Sequence, residues 1–93
     1  MSANRNSPSG DTASIDARVR QLLKDHARLA VDIDTLANGA DLYQAGMTSH
    51  ASVNVMLALE GEFDVEFPDS MLKRSSFESV AAISAAIEAL VGT

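Results

Sequence analysis

The chain has 93 residues and no cysteine, which points to a single domain with one modest core and excludes a disulfide framework, a thiolate metal site or a thiol nucleophile of its own. With 46% hydrophobic and only 4% aromatic residues, the composition favours helices packed through Leu, Ile, Val, Met and Ala. A net charge of −6 argues against nucleic acid as a partner, and the lack of an apolar run approaching about 20 residues argues against a membrane span.

The charge is unevenly placed. Between Leu29 and Leu72 lie eight acids (Asp32, Asp34, Asp41, Glu60, Glu62, Asp64, Glu66 and Asp69) and no Lys or Arg. Such a field can steer basic partners, or simply keep the surface soluble. The N-terminus has no apolar signal core, so a cytoplasmic protein is expected.

Residues 1–11, "MSANRNSPSGD", combine Ser, Asn, Pro and Gly with almost nothing apolar and read as a disordered tail, leaving 12–93 as the folded domain. From Ile15 the apolar positions Val19, Leu22, Leu23 and Leu29 recur at helical spacing and mark a first helix. His26 falls on or beside that stripe and is expected to be a partly buried core histidine. The segment "AVDIDTLANGADLYQAGMT" has no sustained period and contains Asn38-Gly39 and Gly46, so it reads as a long connection. Its Val31, Ile33, Leu36, Leu42, Tyr43 and Met47 are too apolar to remain solvated, which predicts a loop packed onto the domain.

A second helix is expected from Ser49 to about Gly61 or Phe63, central in the fold, with Val53, Met56, Leu57, Leu59 and Phe63 facing inward. In "EGEFDVEFPDS" the apolar residues alternate with acids as in a strand, but Pro68 favours a loop followed by one short helical turn, Asp69 to Arg74. In "SSFE", Ser75 and Glu78 have the spacing of a capping box. They predict a last helix with Val80, Ile83, Ile87, Leu90 and Val91 buried and Gly92 at its end. The fold class is therefore all-α, three main helices plus one short helix with a long first loop.

The residues for catalysis are missing. Only His26 and His50 could serve as imidazole bases, and His50 adjoins Ser49 on a helix, where successive side chains diverge by about 100°. The acids of 60–69 lack the spacing and central glycine of a calcium loop, and there is no glycine-rich phosphate loop. The chain is expected to catalyse nothing by itself. What remains is a pair of hydroxyls, Thr48 and Ser49, where one suffices to cap a helix. If Thr48 caps, the Ser49 hydroxyl lies exposed in the first turn. A phosphate ester there would meet unpaired amides and the positive end of the helix dipole, worth about 0.3–1 kcal/mol.

These residues resemble the acyl carrier proteins, whose signature is an acid and a leucine, then a glycine, a hydrophobic residue, usually an aspartate, and the serine that receives 4′-phosphopantetheine from coenzyme A. Here the region reads "DLYQAGMTSHASVNVMLALEGEF", and the resemblance runs on through "FDVEFPDS" to "SSFESVAAISAAI". It implies a four-helix carrier fold and a covalent 4′-phosphopantetheine on Ser49, installed by a phosphopantetheinyl transferase. Thr48 would cap, Gly46 would allow close approach of the loop, and Met47 and Val53 would pack beneath the arm. His50, Ser52, Val53, Asn54 and Glu60 would face partners.

Four positions depart from the family pattern. Thr48 replaces the usual aspartate, His50 a common leucine, and Ser52 and Asn54 stand where fatty-acid carriers are acidic. Threonine before the serine resembles the stand-alone aminoacyl carriers, which are loaded by ATP-dependent amino acid:carrier protein ligases similar to a truncated class II seryl-tRNA synthetase. The resemblance thus implies a monomeric carrier of an amino acid as a thioester. A carrier for fatty acid or polyketide synthesis and an unmodified helical adaptor remain as alternatives.

Overall fold

The computed structural model describes residues 8–92, with side chains from residue 15 onward. It contains three α-helices, α1 (Pro8–His26), α2 (Ser49–Phe63) and α3 (Val80–Val91), and no strand among the described residues. Helix α1 begins at Pro8, four residues before the expected start at Thr12. A proline fits the first helical position, where its missing N–H has no intrahelical partner to lose. Residues 1–7 of the expected tail lie outside the described residues.

Helix α1 stops at His26, short of Leu29, because Arg28 adopts a left-handed φ of 55°. The buried stripe steps from Val19 and Leu23 to Ala27, so His26 points into solvent and is not the core histidine expected. Helix α1 packs against both α2 and α3, and it is this helix, not α2, that is central.

The core joins Val19 and Leu23 of α1, Val55 and Leu59 of α2, and Ile83 and Ile87 of α3, each at most 1% exposed. Burying such a side chain stabilises the fold by about 1.5–3 kcal/mol. The inward face of α2 differs from the one expected: Ala51, Val55 and Leu59 are buried, Met56 and Phe63 are half-buried, and Val53 and Leu57 are 51% and 56% exposed. Helix α2 carries apolar residues on more than one face, and the stripe of Ala51, Val55 and Leu59 is the one turned inward.

The long connection is packed down as its composition demands. Ile33, Leu42 and Met47 are buried and Leu36 and Tyr43 half-buried, whereas Val31 is 48% exposed. A short 3-10 turn, Ile33–Thr35, is capped by the Asp32 carboxylate, which accepts from the Asp34 amide at 3.0 Å. The loop is tied to the last helix by the Leu42 amide donating to the Glu78 carbonyl at 2.7 Å and the Ala81 amide donating to the Asn38 carbonyl at 2.9 Å.

After α2 the chain turns through Asp64, φ 55°, into the loop read from Pro68. The Glu60 carboxylate accepts the Phe67 amide at 2.9 Å and so braces this loop. The expected short helix is two 3-10 turns, Asp69–Met71 and Arg74–Ser76, broken at Leu72 and Lys73. Between them and α3, the rings of Phe77 and Phe67 pack at 5.3 Å. Drawing Phe77 inward keeps 75–78 out of the helix. Ser75 is therefore not the cap; Ser79 is, its hydroxyl accepting from the Ala82 amide at 3.0 Å. In α3, Val80, Ile83 and Ile87 are buried as expected, Leu90 is half-buried and Val91 is exposed.

Candidate functional site

The site begins in the loop. The Asp41 carboxylate accepts from the Tyr43 and Gln44 amides at 2.9 and 3.3 Å, setting a turn that ends at Gly46 with φ 116°. A Cβ on Gly46 would lie 2.9 Å from the Ala30 backbone nitrogen, whose N–H donates to the Ala45 carbonyl at 2.9 Å. Glycine thus permits the close approach of the loop's two ends. Met47 then drops into the core, 2% exposed, with its amide donating to the Leu42 carbonyl at 3.0 Å.

With Met47 anchored, Thr48 is extended (φ −84°, ψ 165°) and caps α2, its hydroxyl accepting from the Ala51 amide at 3.0 Å. Ser49 is the first helical residue and is exposed. Among the described residues its hydroxyl makes no hydrogen bond, and the amides of Ser49 and His50 donate to no protein acceptor. The loop therefore delivers one uncommitted hydroxyl to the positive end of a helix.

The other expected residues divide. His50, Val53 and Asn54 lie on the exposed face of α2, which Leu57 extends although it was expected inside. The Ser52 hydroxyl is turned back, donating to the Ser49 carbonyl at 2.7 Å. Ser49 and His50 form no catalytic pair, and no cluster of three or more metal-ligating side chains occurs among the described residues.

Beside Ser49 runs an open groove of about 430 Å³ that the residue pattern did not reveal. Ser49, Val53 and Met56 form one wall, and Leu72 and Phe77 face them from the segment after α2. Lys73, Arg74 and Tyr43 complete it, with the Arg74 guanidinium 3.8 Å from the centroid of the Tyr43 ring. The one legible signal was that basic residues return at Lys73 after a long stretch without any.

Residues 17–87 match the family model described as "Phosphopantetheine attachment site". The chain belongs to this family of carrier proteins. Its members hold 4′-phosphopantetheine covalently, and this chain has the features that group requires: an exposed, uncommitted serine hydroxyl and a groove beside it, in a protein that has no thiol of its own.

The chain is 43% identical over 77 residues to an aminoacyl carrier protein of Agrobacterium fabrum, covering 83% of this chain and 93% of that one. Among solved structures, it is similar to the carrier protein from Agrobacterium tumefaciens bound to an engineered glycine:[carrier protein] ligase of Bradyrhizobium japonicum with ATP. That match has 43% identity and a TM-score of 0.79, covering 82% of this chain and 99% of the other. The holo acyl carrier protein of Nitrosomonas europaea superposes with a TM-score of 0.73 at 28% identity, over 85% and 96% of the two chains. The carrier is thus a homologue of the aminoacyl carriers, with the expected acyl-carrier-like helical fold. None of its described helices is long and apolar enough to cross a membrane.

Proposed function

We propose that Ser49 of this carrier bears the phosphopantetheine and that its cargo is an amino acid, loaded as a thioester by an ATP-dependent amino acid:carrier protein ligase. The observation that supports Ser49 most directly is the division of labour with its neighbour: Thr48 takes the capping bond, leaving Ser49 exposed and unbonded at the same helix end. The amino-acid cargo rests on the likeness to a carrier seen with a glycine ligase.

In this reading the bound group supplies the thiol. The chain's own residues hold and present it. Thr48 and Met47 fix the direction in which Ser49 leaves the fold, the unpaired Ser49 and His50 amides favour a phosphodiester beside them, and His50, Val53 and Asn54 offer the exposed face to the transferase and the ligase. The chain itself catalyses no step, and it works as a cytoplasmic monomer that visits successive enzymes.

The test is the intact mass of wild type and Ser49→Ala after incubation with coenzyme A and a broad-specificity phosphopantetheinyl transferase. A gain of one phosphopantetheine in wild type alone is expected, followed by a glycyl mass gain with ATP, glycine and the ligase. Loading by fatty-acid enzymes in place of the ligase would make it an acyl carrier. No gain in either protein, with a control carrier modified, would leave a helical adaptor.

A further inference from the structure

The groove beside Ser49 has a character that its apolar walls alone do not give it. Val53 and Met56 on one wall and Leu72 and Phe77 on the other make it apolar, while Lys73 and Arg74 set two positive charges at its side. Neither cation belongs to an ion pair among the described residues; the two bridges present are Arg18 with Glu62 and Lys24 with Asp34, both elsewhere. The Arg74 guanidinium stacks on the Tyr43 ring, 3.8 Å from its centroid, which places its charge at the groove. In a chain of net charge −6, with no Lys or Arg from Leu29 to Leu72, this is a local reversal of sign.

Resting on the assignment of Ser49 above, we propose that this groove sorts the carrier's states by charge: it takes up the uncharged, unloaded arm and rejects an arm ending in an α-ammonium. Two effects act in the same direction. The apolar walls would strip water from a cation, and the few hydroxyls along the groove, those of Ser52 and Tyr43, would replace that water only in part, which is costly. Lys73 and Arg74 add like-charge repulsion, strengthened by the low-dielectric walls between which it acts. The unloaded arm meets neither obstacle. Its anionic phosphodiester is attracted to the same two cations, and its amides and thiol carry no charge. Loading with an amino acid therefore turns the groove from a resting place into a repulsive surface, and the aminoacyl thioester is presented outward to the next enzyme.

The experiment compares four forms of the protein by methyl NMR of Val53, Met56 and Leu72: unmodified, with the free arm, and with arms ending in a glycyl or a propionyl group through a stable amide. Glycyl and propionyl are nearly isosteric and differ by one positive charge. Intact mass confirms each modification first. The free and propionyl arms should shift the three sets of methyl resonances from their unmodified positions, and the glycyl arm should lose those shifts. In the charge-reversed double variant Lys73→Glu, Arg74→Glu, whose altered side chains are both exposed in the wild type, the glycyl arm should regain them. A milder pair, Lys73→Gln with Arg74→Gln, should regain them in part.

Identical spectra for the glycyl and propionyl forms, whether shifted or not, would overturn this inference and leave Ser49 as the attachment point. So would a glycyl form indifferent to charge reversal. Failure of the arm to attach at all would instead remove the assignment of Ser49, and this inference with it.

Discussion

The Ala51 amide donates to the Thr48 hydroxyl at 3.0 Å, and this bond releases Ser49 from capping the helix it begins. Replacing Thr48 by Ala leaves that amide without its partner and should lower the unfolding free energy by about 1 kcal/mol. Thr48→Asp restores an acceptor and adds a negative charge at the positive end of α2, so its stability should equal or exceed that of wild type. Urea unfolding of the three proteins decides it. An unchanged midpoint for Thr48→Ala would mean that the cap is not formed in solution.

Gly46 is required by geometry at two levels, its φ of 116° and the 2.9 Å approach that a Cβ would make to the Ala30 nitrogen. The atom approached is backbone, so no side chain can swing away to relieve it. Gly46→Ala should cost about 1–3 kcal/mol in urea or thermal unfolding. It should also disturb the amide resonances of Met47 to Ser49, since the strain lies directly upstream of the cap.

Helix α2 offers a contrast between residues two positions apart. Leu59 is fully buried and Leu57 is 56% exposed. Leu59→Ala should destabilise by about 2–5 kcal/mol, and Leu57→Ala should stay within about 0.5 kcal/mol of wild type. Comparable losses would mean that the inward face had been assigned wrongly in the structure.

That pair also marks the limit of what the residues alone could tell. The extent of α2, the loop forced by Pro68 and the buried stripe of α3 were legible because a breaker or a clean period stands at each. The rotation of α2 was not, because apolar residues stand on more than one of its faces and only packing against α1 chooses between them. Ser79 caps α3 in place of Ser75 because the burial of Phe77, a tertiary demand, overrides a local pattern of Ser and Glu. At the site, the two adjacent hydroxyls were visible in the chain, but the groove was not, since its opposite wall comes from Leu72 and Phe77, beyond the end of α2 and the loop that follows it.

Arg20 shows how the long loop is held without regular structure. Its guanidinium donates to the carbonyls of Ile33 and Leu36 at 2.8 and 2.9 Å and to the Asn38 side-chain oxygen at 2.6 Å. One forked group thus ties together three acceptors spread over six residues of the loop, the Ile33 carbonyl also accepting from the Leu36 amide at 3.0 Å. Arg20→Met should destabilise by about 2 kcal/mol, the range for hydrogen bonds to a charged group. Arg20→Lys should recover little of it, because an ammonium cannot span the same three acceptors. Full recovery in the lysine variant would reduce the role of Arg20 to its charge.

The exposed face of α2 is the last element open to direct test. His50, Val53, Asn54 and Leu57 lie in solvent and bear no carboxylate, on a helix whose acids Glu60 and Glu62 are occupied, one by the Phe67 amide and the other by Arg18. A partner meeting this face would find apolar and non-acidic polar contacts in place of an acidic patch. If the ligase docks here, His50→Ala combined with Asn54→Ala should lower kcat/KM for glycine loading by about tenfold, equivalent to roughly 1.4 kcal/mol of docking energy. The same variant should keep its unfolding midpoint and still accept phosphopantetheine to completion when the transferase is in excess. Loading at the wild-type rate would move the docking surface off this face and onto the loop that precedes Ser49.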